Sequence, residues 1–275
     1  MTLSEIYIYP IKSLSGIKLN EALVEERGLQ HDRRWLLINT ENQFLSQRSN
    51  AEMALIDVQI SETGLKVQHR QKASLGVLEI PFQPQTSTTI NVTVWDDTIS
   101  ATIVNETSNI WFSEALGSEL RLAFLPNSSL RPADSKYAPF ENNVSFADGY
   151  PYLVIGQSSL DDLNNRLDNQ ISMLRFRPNF VVTGGLPYEE DHWYEFEIGS
   201  LSFLGVKPCA RCVMPTIDPQ TALKGKEPLL TLTSYRKLNN KIFFGQNVLA
   251  KNYGTLKVGD DVKVLSRKMR QTSSE

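Results

Sequence analysis

The two cysteines of this chain lie in one short segment, and thiols have the widest reactive chemistry of the side chains present. The segment reads Lys207-Pro208-Cys209-Ala210-Arg211-Cys212-Val213-Met214-Pro215. Two cysteines separated by two residues occur in redox couples, in zinc knuckles and in reactive thiolate sites. Which of these chemistries applies depends on the residues around the pair.

A thioredoxin-like couple places its cysteine pair at the start of a long helix. Pro215 and Pro219 follow the pair, and an interior proline costs a helix about 3 kcal/mol or more. A structural zinc site needs four ligands. The three histidines of the chain are scattered along it: His31, His69 and His192. Both of these interpretations therefore lack support.

Two interpretations of the cysteines remain open. The pair could be buried and apolar, as free cysteines often are. Alternatively, Lys207 and Arg211 bracket the pair and favour the thiolate form of a reactive site. The prolines favour a rigid, extended loop over a packed strand.

Basic and hydroxyl residues recur beside turn signals. They are Lys12 and Ser13 after Tyr9-Pro10, Arg33 and Arg34 before Trp35, and Arg175 and Arg177 before Pro178-Asn179. Each could be an ordinary solvated charge, or several could converge on a phosphate, which arginine binds through two parallel hydrogen bonds. Spacing alone leaves both open. There is no GxGxxG motif and no P-loop, so neither standard nucleotide cradle is predicted.

Most of the predicted elements that carry these residues are strands. Short β-branched or alternating runs recur between Leu3 and Val104, and strands return between Tyr152 and Leu265. The expected fold class is mainly β with a few helices (α+β). We expect domains at 1–125 and 126–266, divided at the proline-containing loop 126–140, and a polar tail at 267–275.

Two helices are predicted. One covers Thr107 to Gly117, where Ile110, Trp111 and Leu116 suggest one apolar face and glycine ends the helix. The second begins after Gly156, with Ser158 as the N-cap and Asp161 as its capping-box partner. Its apolar face carries Leu160, Leu163 and Leu167.

Composition excludes several classes of protein. The chain has 275 residues, 41% of them hydrophobic, with a formal net charge of −3. This is typical of an ordinary globular protein, not of a disordered chain or a nonspecific nucleic-acid binder. Two cysteines imply no oxidising compartment, and no run approaches the roughly 20 apolar residues of a spanning helix. We expect a cytoplasmic location and no membrane partner.

A series of motifs resembles the MOSC-domain family, specifically its YcbX type and the mitochondrial amidoxime-reducing components. In chain order these are Tyr9-Pro10-Ile11-Lys12-Ser13, His31-Asp32-Arg33-Arg34-Trp35, Phe146-Ala147-Asp148-Gly149-Tyr150-Pro151, Phe176-Arg177-Pro178-Asn179, the cysteine segment, Phe244-Gly245-Gln246-Asn247 and Val258-Gly259-Asp260. The resemblance implies an N-terminal MOSC-associated β-rich domain followed by a MOSC β-barrel domain.

The resemblance also implies a molybdenum ion held by a pyranopterin (molybdopterin), with one protein thiolate as a ligand. The matching thiolate is Cys212, which is thus both the metal ligand and the catalytic residue, and a soft thiolate suits such a metal. The implied cofactor-binding residues are Lys12, Ser13, Arg33, Gly149, Tyr150, Arg177, Asn179, Ala210, Cys212 and Asn247. Ala210 replaces a frequent serine, and Asn247 stands where mitochondrial relatives can have tyrosine.

The implied activity is that of a molybdenum-dependent oxidoreductase that reduces hydroxylamines, amidoximes and N-hydroxylated bases. YcbX-type chains often continue into a ferredoxin domain whose cluster needs four cysteines, whereas this chain has two. We therefore expect a separate ferredoxin, flavoprotein or cytochrome as electron donor. The opening motif begins at Tyr9, so we expect no N-terminal anchor. The alternative function is a cofactor- or sulfur-carrying protein related to the C-terminal part of cofactor sulfurases.

Overall fold

The computed structural model describes residues 1–268, a mainly β fold with three α-helices in that range. The strands are β1 Thr2–Ile8, β2 Ile17–Leu19, β3 Glu21–Glu25, β4 Gly28–Leu29, β5 Trp35–Ile38, β6 Ile56–Ile60, β7 Gly64–His69, β8 Leu78–Pro81, β9 Thr89–Val94, β10 Asp97–Ile103, β11 Arg121–Phe124, β12 Tyr152–Gly156, β13 Phe180–Thr183, β14 Trp193–Ile198, β15 Leu201–Ala210, β16 Lys237–Leu238, β17 Lys241–Ala250, β18 Gly254–Lys257 and β19 Val262–Arg267. The helices are α1 Glu106–Leu116, α2 Gln157–Asn164 and α3 Leu229–Tyr235. The expected fold class is confirmed.

The largest sheet has nine strands and contains both ends of the described chain. Its order is β19-β14-β15-β17-β12-β13-β1-β2, with β16 paired to β17. The two sides of this sheet meet: the Leu3 amide donates to the Asp260 carbonyl at 2.9 Å, and the Val262 amide donates to the Met1 carbonyl at 2.8 Å. The sheet therefore closes on itself around a core that includes Trp193, Phe196 and Phe203.

Three smaller sheets complete the fold. They have the orders β5-β11-β10-β9, β6-β7-β8 and β18-β3-β4. Strands β5 to β11 thus pair among themselves, whereas β1 to β4 join sheets containing strands from the second half of the chain. The expected division between residues 125 and 126 stays a prediction. Of the expected tail, Arg267 is the last residue of β19, and residues 269–275 lie outside the described residues.

The two predicted helices are present, but one starts differently. Helix α1 begins at an Asn105 cap, whose side chain accepts the Ser108 amide at 2.8 Å, and it ends at Gly117 with a left-handed φ of 67°. Helix α2 starts at Gln157 with Gly156 as its N-cap and without a side-chain cap. The predicted Ser158 cap is therefore wrong. A buried carboxylate, Glu190, instead accepts the Gly156 amide at 3.1 Å and the Ser159 hydroxyl at 2.8 Å.

The secondary structure of the cysteine segment also differs from the expectation. Strand β15 continues through Ala210, so Cys209 lies in a strand and not in an extended loop. Strand β15 pairs with β17, with Pro208 opposite Gln246 and Ala210 opposite Phe243. The register shifts between Pro208 and Ala210, and such bulges are positions where a sheet tolerates proline.

Candidate functional site

A cavity lies where segments from both halves of the chain meet. Its wall contains all ten residues predicted to bind a cofactor: Lys12, Ser13, Arg33, Gly149, Tyr150, Arg177, Asn179, Ala210, Cys212 and Asn247. Segments far apart in sequence thus converge, which spacing alone could not establish. The wall also contains residues that sequence reasoning did not select, among them Arg48, Asp148 and Arg211.

The two thiols of the cavity have different surroundings. Cys212 is exposed, and Cys209 is half-buried. The Arg211 guanidinium donates to the Cys209 sulfur at 3.1 Å and to the Phe176 carbonyl at 2.8 Å. Lys207, expected to bracket the pair, lies instead with its ammonium 4.2 Å above the Tyr137 ring. Of the two expected cations, Arg211 is therefore the one that contacts a thiol.

The backbone is strained at three cavity residues. Ser13, Arg33 and Arg177 have φ angles of 69°, 49° and 57°, in the left-handed region that side chains other than glycine seldom adopt. Such conformations cluster at binding and catalytic sites, where the surrounding structure enforces them. Each of these residues belongs to a motif singled out from the sequence.

Lys12 and Arg33 are tied to carboxylates and carbonyls. The buried Lys12 ammonium donates to the Phe146 carbonyl at 2.7 Å and to the Asp148 carboxylate at 2.5 Å. Partial desolvation in the cavity wall would raise the pKa of the Asp148 carboxyl, but the Lys12 ammonium holds that pKa well below its usual range. The Arg33 guanidinium pairs with Asp32 at 2.6 Å. Both cations are thus fixed in position.

An aromatic ring holds two of the arginines in place. Tyr9 is almost fully buried, with the Arg33 guanidinium 4.4 Å and the Arg177 guanidinium 4.1 Å from its ring centre. Burial lowers the pKa of Arg177 to about 10, so it remains charged at neutral pH. Stacking of this kind fixes a cation while leaving the N–H groups at its edge available.

The two asparagines of the predicted set make protein contacts. The Asn179 side-chain oxygen accepts from Arg33 and from the Leu153 amide, each at 3.2 Å, and its nitrogen donates to the Tyr7 carbonyl at 3.1 Å. The Asn247 amide donates to the Lys207 carbonyl at 3.1 Å. Asn179 therefore positions Arg33, and Asn247 ties β17 to the strand that carries Cys209.

The cavity wall is positively charged and has N–H donors that lack acceptors. Lys12, Arg33, Arg48, Arg177 and Arg211 are its cations, and Asp148 is the carboxylate among the lining residues that the structure describes. With Asp32 also counted, the net charge of the wall is +3. Within residues 1–268, Arg177 Nη2 and Arg211 Nε are buried without an acceptor. Unpaired buried donors are costly, so this wall fits an anionic ligand.

Other features of the wall agree with a ligand at this place. A methyl group added at Gly149 would meet nothing within 4 Å, so the backbone there faces open space.

Asp218, near the cysteine segment, caps a turn by accepting the Gln220 amide at 2.8 Å and pairs with Arg175 at 2.7 Å. It is therefore a structural residue.

These observations define a class of protein: a mainly β fold with a positively charged, thiol-bearing cavity shared by both halves of the chain. The chain belongs to the MOSC-domain family. The family model described as the MOSC domain matches residues 141–263, and the model described as the MOSC N-terminal beta barrel domain matches residues 1–119.

Named relatives cover nearly the whole chain. Mitochondrial amidoxime-reducing component 1 of Mus musculus is 34% identical over 97% of this chain and 83% of its own length. The Homo sapiens protein of the same name is 32% identical with the same coverage. Molybdenum cofactor sulfurase of Oryza sativa subsp. japonica is 30% identical over 96% of this chain, which spans 34% of that longer protein.

A solved structure is also similar over most of its length. The YUAD protein from Bacillus subtilis covers 95% of this chain and 93% of its own at 9% identity, with a TM-score of 0.45. A likeness at this level carries no argument about function. Among residues 1–268, no helix has the length and apolar character needed to cross a bilayer.

Proposed function

We propose that the protein is a molybdenum-cofactor-dependent reductase of N-hydroxylated compounds. The observation that carries the proposal is the exposed Cys212 thiol on the wall of a cavity whose other side chains give it a net positive charge. A pterin with a phosphate and two sulfur donors is anionic, and its metal accepts a further soft ligand. The relatives named as amidoxime-reducing components support the same activity.

The residues of the cavity fit such a group. Lys12, Ser13 and Arg33 form the part of the wall suited to a phosphate, with Arg33 oriented by Asp32 and Asn179. Arg177 Nη2 and Arg211 Nε offer the unpaired donors. Gly149, Tyr150 and Ala210 also line the cavity. Cys212 is the proposed metal ligand.

Bound there, the molybdenum-pterin group supplies a two-electron redox centre. The net reaction combines the N-hydroxylated compound, two electrons and two protons to give the N–H compound and water. Asp148 remains ionised at neutral pH because Lys12 holds its pKa low, so it stores no proton for this reaction. Solvent reaches the open side of the cavity, where Cys212 is exposed, and we propose solvent as the proton source.

The electrons come from a separate protein. Two cysteines cannot hold an iron–sulfur cluster that needs four, and one of them is assigned to the metal. We propose a ferredoxin, flavoprotein or cytochrome as the donor. The cytoplasmic location stays a prediction, and two of the relatives carry mitochondrial names.

A second candidate function is transfer of sulfur or cofactor. It is favoured by the 3.1 Å hydrogen bond from the Arg211 guanidinium to the Cys209 sulfur, which holds the second thiol of the cavity in place, and by the similarity to a cofactor sulfurase. In this function both cysteines would take part in the transfer, whereas reduction requires Cys212 alone as a metal ligand.

Separate Cys212→Ala and Cys209→Ala variants distinguish the two functions. The protein is expressed in a molybdenum-replete host, and molybdenum, pterin and benzamidoxime reduction with a chemical reductant are measured. We expect Cys212→Ala to abolish reduction and Cys209→Ala to retain most of it. Equal loss from both changes would favour sulfur transfer. Zinc without molybdenum or pterin in the wild-type protein would contradict both.

A further inference from the structure

Arg48 is a cation of the cavity wall that the cofactor assignment leaves unused. It is half-buried and lines the same cavity as Cys212. Within residues 1–268, its guanidinium has neither a hydrogen-bond acceptor nor a carboxylate partner, unlike Lys12 and Arg33. Its five N–H groups are therefore free to bind a ligand.

Aromatic rings hold this guanidinium in place. It lies 4.1 Å from the Trp95 ring centre and 5.6 Å from that of Phe44. The two rings contact each other at 5.3 Å. Stacking on an aromatic face restrains arginine without consuming the donors at its edge. Arg48 thus combines an ordered position with N–H donors that no hydrogen bond uses, and its nearest charged influence is the electrostatic attraction of Asp148.

Trp95 is itself fixed to the cavity. It occupies the turn between β9 and β10 with a left-handed φ of 58°, and its ring is 45% exposed. Its indole N–H donates to the Asp148 carboxylate at 3.1 Å, which also accepts from Lys12. Lys12 and Trp95 thus already bind one Asp148 oxygen, and neither Asp148 oxygen is bonded to the Arg48 guanidinium.

The main chain of Arg48 is anchored from the other half of the molecule. Lys224 donates its ammonium proton to the Arg48 carbonyl at 3.2 Å. Lys224 precedes the residues of α3 and follows the cysteine segment. The contact links the main chain of Arg48 to the segment that follows Cys212, although the two are far apart in sequence.

We infer that Arg48, stacked on Trp95, binds an oxyanion that enters the cavity. The inference rests on the proposed function for the nature of the ligand. A phosphate or carboxylate matches the planar, two-pronged donor edge of arginine. Two sources offer that chemistry: the phosphate of the pterin, and an acidic substituent of the N-hydroxylated substrate.

The first test needs no catalysis. Binding of inorganic phosphate to purified, cofactor-free protein is measured by calorimetry for the wild type and for Arg48→Gln. We expect the variant to bind phosphate about tenfold more weakly, which corresponds to the loss of a charged hydrogen bond. Trp95→Phe should bind nearly as the wild type does, and Trp95→Leu should resemble Arg48→Gln.

Arg166→Gln is the matched control. Arg166 also stacks on an aromatic ring, at 4.3 Å from the centre of Tyr235, but it pairs with Asp162 and lies outside the cavity lining. Phosphate affinity should be unchanged in this variant. Equal phosphate affinity in wild type and Arg48→Gln would overturn the inference, whatever the enzymatic activity.

Two further measurements distinguish the sources of the oxyanion. If the pterin phosphate is bound, Arg48→Gln should purify with less molybdenum and pterin than Arg166→Gln. If the substrate supplies the oxyanion, the cofactor content should be equal. In that case KM should rise about tenfold for 4-carboxybenzamidoxime and stay constant for benzamidoxime. Unchanged cofactor content together with an unchanged KM for 4-carboxybenzamidoxime would refute both sources.

Discussion

At the scale of single residues, the site depends on half-buried cations stacked on aromatic rings. The guanidinium groups of Arg33 and Arg177 both contact the Tyr9 ring, and Trp95 supports Arg48. Guanidinium groups that approach one another repel, and attraction to a shared ring helps to keep each in a defined place. The charge of the cavity is therefore arranged before any ligand arrives.

Tyr9 allows this idea to be tested because its hydroxyl is buried without a partner in the described structure. Tyr9→Phe removes only the unpaired hydroxyl, so the free energy of unfolding should stay the same or rise. Tyr9→Leu removes the ring that both guanidinium groups contact and should lower the free energy of unfolding by about 1–3 kcal/mol. Urea unfolding measures both. A larger loss in Tyr9→Phe than in Tyr9→Leu would contradict the stacking role.

The motif residues of the site were open to sequence reasoning, but Arg48 was not. Lys12, Arg33 and Arg177 stand in recognisable motifs beside turns. Arg48 follows an ordinary polar segment, and its role depends on Trp95, which is 47 residues away in the turn between β9 and β10. Contacts of this kind arise from tertiary packing, which no local pattern in the sequence encodes.

At the scale of elements, the start of helix α2 depends on one buried carboxyl group. Glu190 is 1% exposed and accepts the Gly156 amide and the Ser159 hydroxyl. Sequence reasoning predicted a local cap at Ser158 because it considered neighbours in the chain only. The actual partner comes from residues 189–192, more than thirty positions later.

This carboxyl group predicts a pH dependence of stability. Burial raises the pKa of Glu190 to about 7 from a usual value of 4.5. The folded state thus binds more protons between these values, and stability should fall as pH rises through that window, by up to about 3 kcal/mol. Glu190→Gln cannot titrate, so its stability should change less between pH 5 and pH 7.

Thermal or urea unfolding at pH 5, 6, 7 and 8 measures this effect. The matched control is Glu114→Gln on the exposed side of α1, which should follow the wild-type pH profile. Parallel profiles for wild type and Glu190→Gln would show that the buried carboxyl does not contribute to the pH dependence.

Strand β15 illustrates the other limit of sequence reasoning at this scale. The prolines near the cysteines favoured a loop, yet the strand extends to Ala210 because β17 pairs with it across a bulge. The pairing partner lies more than thirty residues away. Local propensity was overridden by a non-local ladder of hydrogen bonds.

At the scale of the whole molecule, strand β1 lies in the nine-stranded sheet, most of whose strands come from the second half of the chain. Strand β1 pairs with β13 and contacts residues 260 and 262, and it buries Leu3, Ile6 and Ile8 in the central core. The cavity takes Lys12 and Arg33 from the same N-terminal region. The fold and the site are therefore both completed by the beginning of the chain.

A fragment containing residues 126–275 should consequently not fold. It lacks β1, which pairs with β13 and hydrogen-bonds to the segment just before β19. It would also expose the apolar residues that β1 covers. Circular dichroism and urea unfolding should show no cooperative transition, in contrast to the full chain. A cooperatively unfolding fragment would contradict this description of the core.

Also at this scale, the proposed need for a separate electron donor can be tested with nicotinamide. There is no dinucleotide-binding motif in the sequence, and the cysteines are too few for a cluster. Purified protein with NADPH and benzamidoxime should therefore form no benzamidine until a redox partner is added. Turnover with NADPH alone, in protein free of contaminating reductase, would contradict the need for a partner.

The central claim is that the Cys212 sulfur binds molybdenum in this cavity, and X-ray absorption at the molybdenum edge tests it directly. The spectrum of the wild-type protein is compared with those of Cys212→Ser and Cys209→Ser, each purified with its metal. We predict one fewer sulfur ligand in Cys212→Ser and an unchanged number in Cys209→Ser. An unchanged number in Cys212→Ser, or a loss in Cys209→Ser instead, would contradict the assignment.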